Sequence, residues 1–333
     1  MEVRYFIRKR ASGQFSIEEI FSSICRYLKE KPEMGVHCEM DEVPFHFSPV
    51  NFFRNIFYVR RRQGGINHIT GDIHYAVLGC SRKNLNILTI HDCVILAKYR
   101  KWDIRYWVFR ILWYEWPMAK ADIVTVISEK TKNELLKGIW SGRKKIRVIN
   151  NFVDPVFSYM PRKFDETRPV FLFIGSTPNK NLDRVLEAVK NIDCRLDIVG
   201  RPSASQEVFI ESNKLDVTVS YGLSRAELVE KYIGSDLVLF PSTYEGFGML
   251  IIEANAVGRP VVTSNISPLK EVAADAAVLV DPFDVSAIRE AILKVIRDET
   301  LRERLIANGR INVQRFQIET IIKNYIRLYE CVE

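Results

Sequence analysis

Two carboxylates separated by seven residues, Glu245 and Glu253, stand in the run F-P-S-T-Y-E-G-F-G-M-L-I-I-E-A-N-A-V-G over residues 240–258. The short apolar run before them, 236–240, reads as a buried parallel strand. Pro241-Ser242-Thr243 breaks it, Gly246-Phe247-Gly248 opens a helix, and Gly258 with Pro260 ends that helix. A helix start leaves about four backbone N–H groups unpaired, and its dipole favours anions. Gly246 and Gly248 let that backbone approach a ligand closely. Glu245 lies at the mouth. Glu253 lies about two turns further in, on a mostly apolar helix, where an ionised carboxylate is costly unless donors receive it. Sugar hydroxyls are donors of that kind, a ribose for Glu253 and a second sugar for Glu245. The plainer alternative is a salt-bridged Glu253 within its helix and a Glu245 that partners the helix dipole.

Other residues fall where ligands of open α/β sheets bind, beyond the C-terminal ends of strands. In the second half, strand 170–174 leads into G-S-T-P-N-K-N-L, which places Lys180 beside a helix start, suited to a diphosphate or simply a surface lysine. Arg201 and Tyr221 follow strands 195–200 and 217–220. Ser224 reads as the cap of a helix over 226–233. In the first half, strand 3–7, the turn R-K-R-A-S-G ending at Gly13, and a helix around 17–28 make a Rossmann-like opening. Strands 66–70 and 85–90 end beside Asp72, His74, His91 and Asp92. These four match no zinc spacing, there is no D-x-D sequence, and no metal is expected. Each histidine also reads as a structural one satisfied in the core. The stretch 31–63 is ambiguous, and Arg60-Arg61-Arg62 reads as a solvated patch.

E-G-F-G-M-L-I-I-E resembles the E-x7-E motif of retaining glycosyltransferases of the GT-B fold, the group-1/family-4 type that uses nucleotide-sugar donors. The resemblance extends over 170–284 and is weaker over the first 150 residues. It implies an α/β chain with two Rossmann-like doubly wound domains facing a cleft. Residues 1–155 would bind the acceptor and 165–315 the nucleotide sugar, and a helix in 316–333 would cross back to the first domain. Lys180 and the N–H groups near Phe247, Gly248 and Met249 would stabilise the leaving diphosphate. Glu245 would orient the sugar and Glu253 the ribose. His91, followed by Asp92 as in the family, would contact the donor sugar. Ser176, Arg201, Tyr221 and Gly246 complete the implied donor site, and Gly13, Asp72, His74 and Asp92 the implied acceptor site. The family carries a Gly-Gly loop where this chain has only Gly13, and an arginine where it has Ser176.

The implied function is retaining transfer of a sugar, of the hexosyltransferase class, from a nucleotide diphosphate-sugar to an acceptor. The expected acceptor is a lipid-linked saccharide in surface polysaccharide or lipopolysaccharide synthesis, and no cofactor or metal is expected beyond the co-substrate. The alternatives are a nucleotide-sugar epimerase or hydrolase of the same fold, and a catalytically silent nucleotide-binding homologue. A nicotinamide dehydrogenase is disfavoured, because no G-x-G-x-x-G follows strand 3–7 or 170–174. A nucleic-acid partner would leave the glycine-carboxylate helix unexplained.

Length, charge and cysteines bound the reading. The 333 residues, 47% of them hydrophobic, suit two domains with ample core. Residues 1–150 carry 26 Lys and Arg against 15 Asp and Glu, a balance of +11, and residues 151–333 carry 22 against 26, a balance of −4. A basic first half suits an anionic partner such as a membrane surface. Within it, 99–118 interleaves Tyr99, Trp102, Tyr106, Trp107, Phe109, Trp113, Tyr114 and Trp116 with Arg100, Lys101, Arg105 and Arg110. Aromatics on more than one helix face suit a membrane interface, whereas a single stripe would be core. The six cysteines show no disulfide-like clustering, so a reducing setting is expected. No signal peptide or spanning segment is read at either the start or the interior. The expectation is a cytoplasmic protein, peripheral at the inner leaflet.

Overall fold

The structure is a computed structural model that describes residues 1–9, 16–94, 96 and 99–330. Gly13 lies outside the described residues. The chain divides into two compact units, Met1–Phe152 with Ile318–Glu333, and Val153–Gln317. Their edges fall at 152/153 and 317/318, against the expected 155 and 316.

The first unit is a six-stranded, all-parallel sheet in the order β2-β1-β3-β4-β5-β6. The strands are β1 (Glu2–Ile7), β2 (His37–Glu42), β3 (Ile66–Ile69), β4 (Leu85–Ile90), β5 (Ile123–Val126) and β6 (Ile146–Val148). All six residues of β4 are buried, as a strand covered on both faces requires. One face carries Phe6, Leu88, Ile90 and Val124 against Trp113 and Met118. The other carries Val3, Tyr5 and Ile87 against Phe21 and the terminal helix Ile318–Glu330, through Ile321, Ile322, Tyr325 and Tyr329.

That second face holds a buried polar seam. Tyr329 Oη meets Tyr5 Oη at 2.9 Å and His68 Nδ1 at 3.0 Å, and His68 Nε2 meets Thr89 Oγ1 at 2.7 Å. Each buried polar group thus finds a partner, which is what removal from water demands.

The ambiguous stretch resolves into β2 and a helix, Pro49–Arg62, capped by Ser48, whose Oγ accepts from the Asn51 N–H at 3.2 Å. Arg62 pairs with Asp41 at 3.0 Å, while Arg60 and Arg61 are exposed. The expectation of six unpaired cysteines is corrected. Cys25, on helix Ser16–Glu30, and Cys38, on β2, form a disulfide across 13 residues, with Cα atoms 5.8 Å apart. The crossover from β1 through that helix to β2 packs their facing sides together, a proximity that spacing alone does not encode. Cys80, Cys93 and Cys194 are buried free thiols.

The second unit is also all-parallel, in the order β12-β11-β10-β7-β8-β9. The strands are β7 (Val170–Ile174), β8 (Arg195–Val199), β9 (Val217–Ser220), β10 (Leu237–Phe240), β11 (Val261–Ser264) and β12 (Val278–Val280). Counted from β7, this is the Rossmann order 3-2-1-4-5-6, whose switch point lies between β7 and β10. Connections to neighbours on opposite sides diverge there and leave a crevice beyond the two strand ends. Helix Arg225–Gly234 begins with a capping box, Ser224 Oγ accepting from the Glu227 N–H while Glu227 receives the Ser224 N–H at 2.7 Å.

Candidate active site

The loops after β7 and β10 meet at the switch point. Thr243 N–H donates to the Asn179 carbonyl at 2.8 Å, and Asn179 Nδ2 donates to the Tyr244 carbonyl at 3.0 Å. Asn181, at a left-handed φ of 73°, donates Nδ2 to the carbonyls of Pro241 (2.8 Å) and Pro282 (2.7 Å). Three loops are thereby tied by one buried amide. On this frame Lys180 Nζ donates to Glu245 Oε1 at 2.7 Å, and it lies 5.0 Å above the Phe240 ring. Gly175, at φ 127°, makes room for that lysine, since a Cβ there would come within 2.5 Å of Lys180 Cγ. A cation and a carboxylate, both part-buried, therefore sit together in the crevice where such sheets bind ligands.

Beside them begins helix Met249–Val257, with Gly248 as its N-cap at φ 125° and no side chain capping it. A Cβ on Gly248 would meet Leu269 Cδ2 at 2.9 Å, so the close turn requires glycine. Phe247 is buried with its ring 5.7 Å from that of Phe316, so it offers the site backbone rather than side chain. Met249 is half-buried and Ser176 exposed. Arg201 stacks 4.2 Å over the ring of exposed Tyr221, which brings these two candidates together beyond β8 and β9.

Glu253 is buried, and each of its carboxylate oxygens meets a protein donor. Tyr232 Oη donates to Oε2 at 2.8 Å, and Arg225 reaches Oε1 at 3.3 Å and Asp154 at 3.5 Å. Burial raises the Glu253 carboxyl above its ordinary range, opposed by Arg225 and the Tyr232 hydroxyl. The donors a buried carboxylate requires are present, and the chain itself supplies them, as in the plainer reading of a salt-bridged glutamate. A roomier concavity of about 760 Å³ lies at the opposite strand ends, around Arg162, Asp236, Arg259 and Arg302. Its Arg162–Asp236 contact at 2.7 Å and the five carbonyl contacts of Arg259 tie the chain together and lie away from the crevice.

In the first unit the strand-end candidates converge on one cavity. It measures about 220 Å³ and is lined by Arg8, Gly71, Asp72, His74, His91, Asp92 and Val94. It lies beyond the ends of β1, β3 and β4, at the switch point of that sheet. His74 Nδ1 contacts the Trp113 carbonyl at 2.9 Å, and Trp113 Nε1 donates to Asp72 Oδ1 at 2.8 Å. Asp92 Oδ1 accepts the Val94 N–H at 3.0 Å. His91 Nε2 is buried and has no hydrogen-bond partner among the described residues. Burial, then the fields of His74 and Arg8, push the His91 pKa down to about 3, and burial likewise lowers that of His74. Burial raises Asp92. Both imidazoles are neutral near pH 7. Among the described residues no group of three or more His, Cys, Asp or Glu could hold a metal ion.

Residues 160–312 match the family model of glycosyl transferases group 1, and residues 28–157 match that of glycosyltransferase family 4. The chain belongs to the group 1, family 4 glycosyltransferases. It is 26% identical over 253 residues to an uncharacterized glycosyltransferase, MJ1178, of Methanocaldococcus jannaschii, covering 74% of this chain and 68% of that protein. To O-antigen chain mannosyltransferase B of Escherichia coli it is 27% identical over 236 residues, 64% of this chain and 61% of the relative. Among solved structures, the Anabaena protein HepE in complex with UDP-glucose superposes with a TM-score of 0.75 at 16% identity, covering 100% of both chains. That likeness is one of fold, GT-B.

Within this glycosyltransferase, sequence reasoning missed the residues that hold the candidates in place. Asn179 and Asn181 tie the crevice loops, Tyr232 and Arg225 hold Glu253, and Trp113 holds Asp72 and His74. The asparagines of G-S-T-P-N-K-N-L were a readable signal, because asparagine tolerates the left-handed turn. The others lie far along the chain from their partners. The exposed aromatic surface was legible only in part. Trp102 (80% exposed), Trp107 and Trp116 were flagged, but helix Pro49–Arg62 adds Phe53 (70%) and Phe57, with the Arg61 guanidinium 4.2 Å over Phe57. No helix among the described residues is long and apolar enough to cross a membrane.

Proposed function

We propose that this glycosyltransferase moves a sugar, with retention of configuration, from a nucleotide diphosphate-sugar to a lipid-linked saccharide in surface polysaccharide synthesis. The observation that carries the reading is the Lys180–Glu245 pair at the switch point of the second unit, beside a helix start that no side chain caps. Lys180 and the N–H groups around Phe247, Gly248 and Met249 are the donors for the leaving diphosphate. Preorganised donors aimed at developing charge act without reorganising during the reaction. Glu245, released from Lys180 by the diphosphate, turns its oxygens to the sugar hydroxyls. Glu253 receives the ribose hydroxyls alongside Tyr232 and Arg225. The Arg201–Tyr221 stack is the platform for the base, and Ser176 lines the diphosphate loop. His91 offers its unpartnered Nε2 to a hydroxyl of the donor sugar, while Asp72, His74 and Asp92 take the acceptor. Charge neutralisation by these groups calls for no metal.

The surface of the first unit supports this acceptor class. Its exposed tryptophans and phenylalanines interleave with arginines, which suits the headgroup level of an anionic leaflet. The relative from Escherichia coli acts on O-antigen chains by its name. The test is turnover of a nucleotide-sugar panel with octyl glycosides as acceptors, with the product anomer read by NMR and chelator added in parallel. Transfer with retention, unchanged by chelator, is expected. Release of free sugar at the same rate without acceptor would replace the transferase with a hydrolase. Flotation with vesicles of phosphatidylcholine, with and without phosphatidylglycerol, tests the surface. Binding only with the anionic lipid is expected, and no binding in either removes the membrane contact.

A further inference from the structure

Trp113 stands in a six-residue π-helical turn, Arg110–Glu115, between helices Ile104–Phe109 and Trp116–Lys120. Such turns interrupt regular helices and recur at functional sites. The cause here is readable in the chain. In a continuous helix the Trp113 carbonyl would take the N–H four residues on, and that residue is Pro117, which has none and whose ring crowds that same carbonyl. The carbonyl instead meets His74 Nδ1 at 2.9 Å. A carbonyl oxygen only accepts, so Nδ1 must carry the proton. In the neutral ring the other nitrogen, Nε2, then carries the lone pair. The same residue's indole N–H anchors Asp72 Oδ1 at 2.8 Å, which leaves the second Asp72 oxygen for a ligand. Trp113 is itself clamped, buried with its ring 4.5 Å from Phe47 and 5.0 Å from Tyr75. His74, Asp72 and the unpartnered His91 Nε2 all belong to the 220 Å³ cavity.

We propose that Trp113, freed for this task by Pro117, is the positioning residue of the acceptor side. Its carbonyl fixes His74 in the Nδ1-protonated form and its indole fixes Asp72, so that His74 Nε2 and Asp72 accept hydrogen bonds from two hydroxyls of a saccharide. This deepens the transferase reading and rests on its assignment of the acceptor to the first unit. No proton is transferred in this step; the residue holds two acceptors at set positions.

The test uses the full chain labelled with 15N-histidine, in which the two ring nitrogens report the tautomer directly. The wild type is expected to show His74 in a single Nδ1–H form. Pro117→Ala restores the missing helical N–H and is expected to convert His74 to a mixture of tautomers without unfolding the chain. Titration with methyl α-D-mannoside, methyl α-D-glucoside and methyl α-D-galactoside is expected to shift His74 Nε2 in the wild type with at least one of them. The affinity for that glycoside should fall roughly five- to tenfold in Pro117→Ala and in Trp113→Phe, about one hydrogen bond each. An unchanged tautomer in Pro117→Ala, or no response of His74 to any of the three glycosides, would overturn the proposal. Neither readout involves a nucleotide, so their failure leaves the donor site untouched, while loss of the donor site would appear in nucleotide titrations alone.

Discussion

The two units build their candidate sites at the same topological place and by opposite electrostatic means. In the second unit the crevice is charged and internally neutralised: Lys180 faces Glu245 at 2.7 Å, and Glu253 faces Arg225 at 3.3 Å. In the first unit the cavity holds two neutral imidazoles, one of which has an unpartnered Nε2. A site that must grip a diphosphate needs charge, and it keeps that charge inexpensive by pairing it until the ligand arrives. A site that must receive uncharged hydroxyls needs fixed acceptors, which buried neutral histidines and anchored carboxylates supply.

The sharpest way to break this contrast is at the charged crevice. Lys180→Ala and Glu245→Ala should each lower turnover about a hundredfold or more, the cost of losing a preorganised charge partner, in a chain that still folds by circular dichroism. Near-normal turnover in both variants would remove the chemical role of the crevice. Next in size is the Glu253 cluster. Arg225→Ala leaves a buried carboxylate held by Tyr232 alone. Breaking a fully buried pair costs about 3–5 kcal/mol, and the part-exposed arginine places this one nearer ~2 kcal/mol, measured by urea unfolding. Glu253→Gln, which removes the charge with its need for Arg225, should cost less. Equal losses would show that packing rather than charge governs the cluster.

The neutral side predicts a pH signature. Burial lowers the pKa values of His68 and His91 to about 3 from an ordinary 6.5. Between those values the unfolded chain binds protons that the folded chain excludes. Stability is therefore full above pH 6.5 and falls as pH drops toward 3, by up to ~1.4 kcal/mol per pH unit for each histidine. Thermal unfolding at pH 7 and pH 5 should show the drop, and His68→Gln should flatten it. A variant whose slope matches the wild type would show that the first unit is not held by neutral histidines. The smallest expected effect is local: Ser224→Ala removes the cap of helix Arg225–Gly234 and should cost about 1 kcal/mol, read by the same unfolding.

Much of this was legible in the chain, for reasons that differ by element. The apolar runs of β7 and β10, the serine cap at 224 and the left-handed Gly258 all act through neighbours in sequence. The crevice candidates followed from the rule that ligands lie past strand ends, which needs only the strand order. Edge strand β2, H-C-E-M-D-E, is polar and buries Cys38 and Asp41 with Met40 part-buried, so its pattern is weak. Helix Pro49–Arg62 exposes Phe53 and Phe57, which blurs its apolar face. Cys25 with Cys38, Tyr232 with Glu253 and Trp113 with Asp72 are contacts made by the crossover and the sheet order, and no local period encodes them.

The central claim is that the switch-point pair of the second unit grips a nucleotide through its diphosphate. Calorimetric titration of UDP, GDP and ADP into the wild type, Lys180→Met and Asp72→Asn tests it most directly. One of the nucleotides should bind the wild type and Asp72→Asn alike, and bind Lys180→Met at least tenfold more weakly, the loss of one charge-assisted contact. Equal binding by wild type and Lys180→Met would contradict the account.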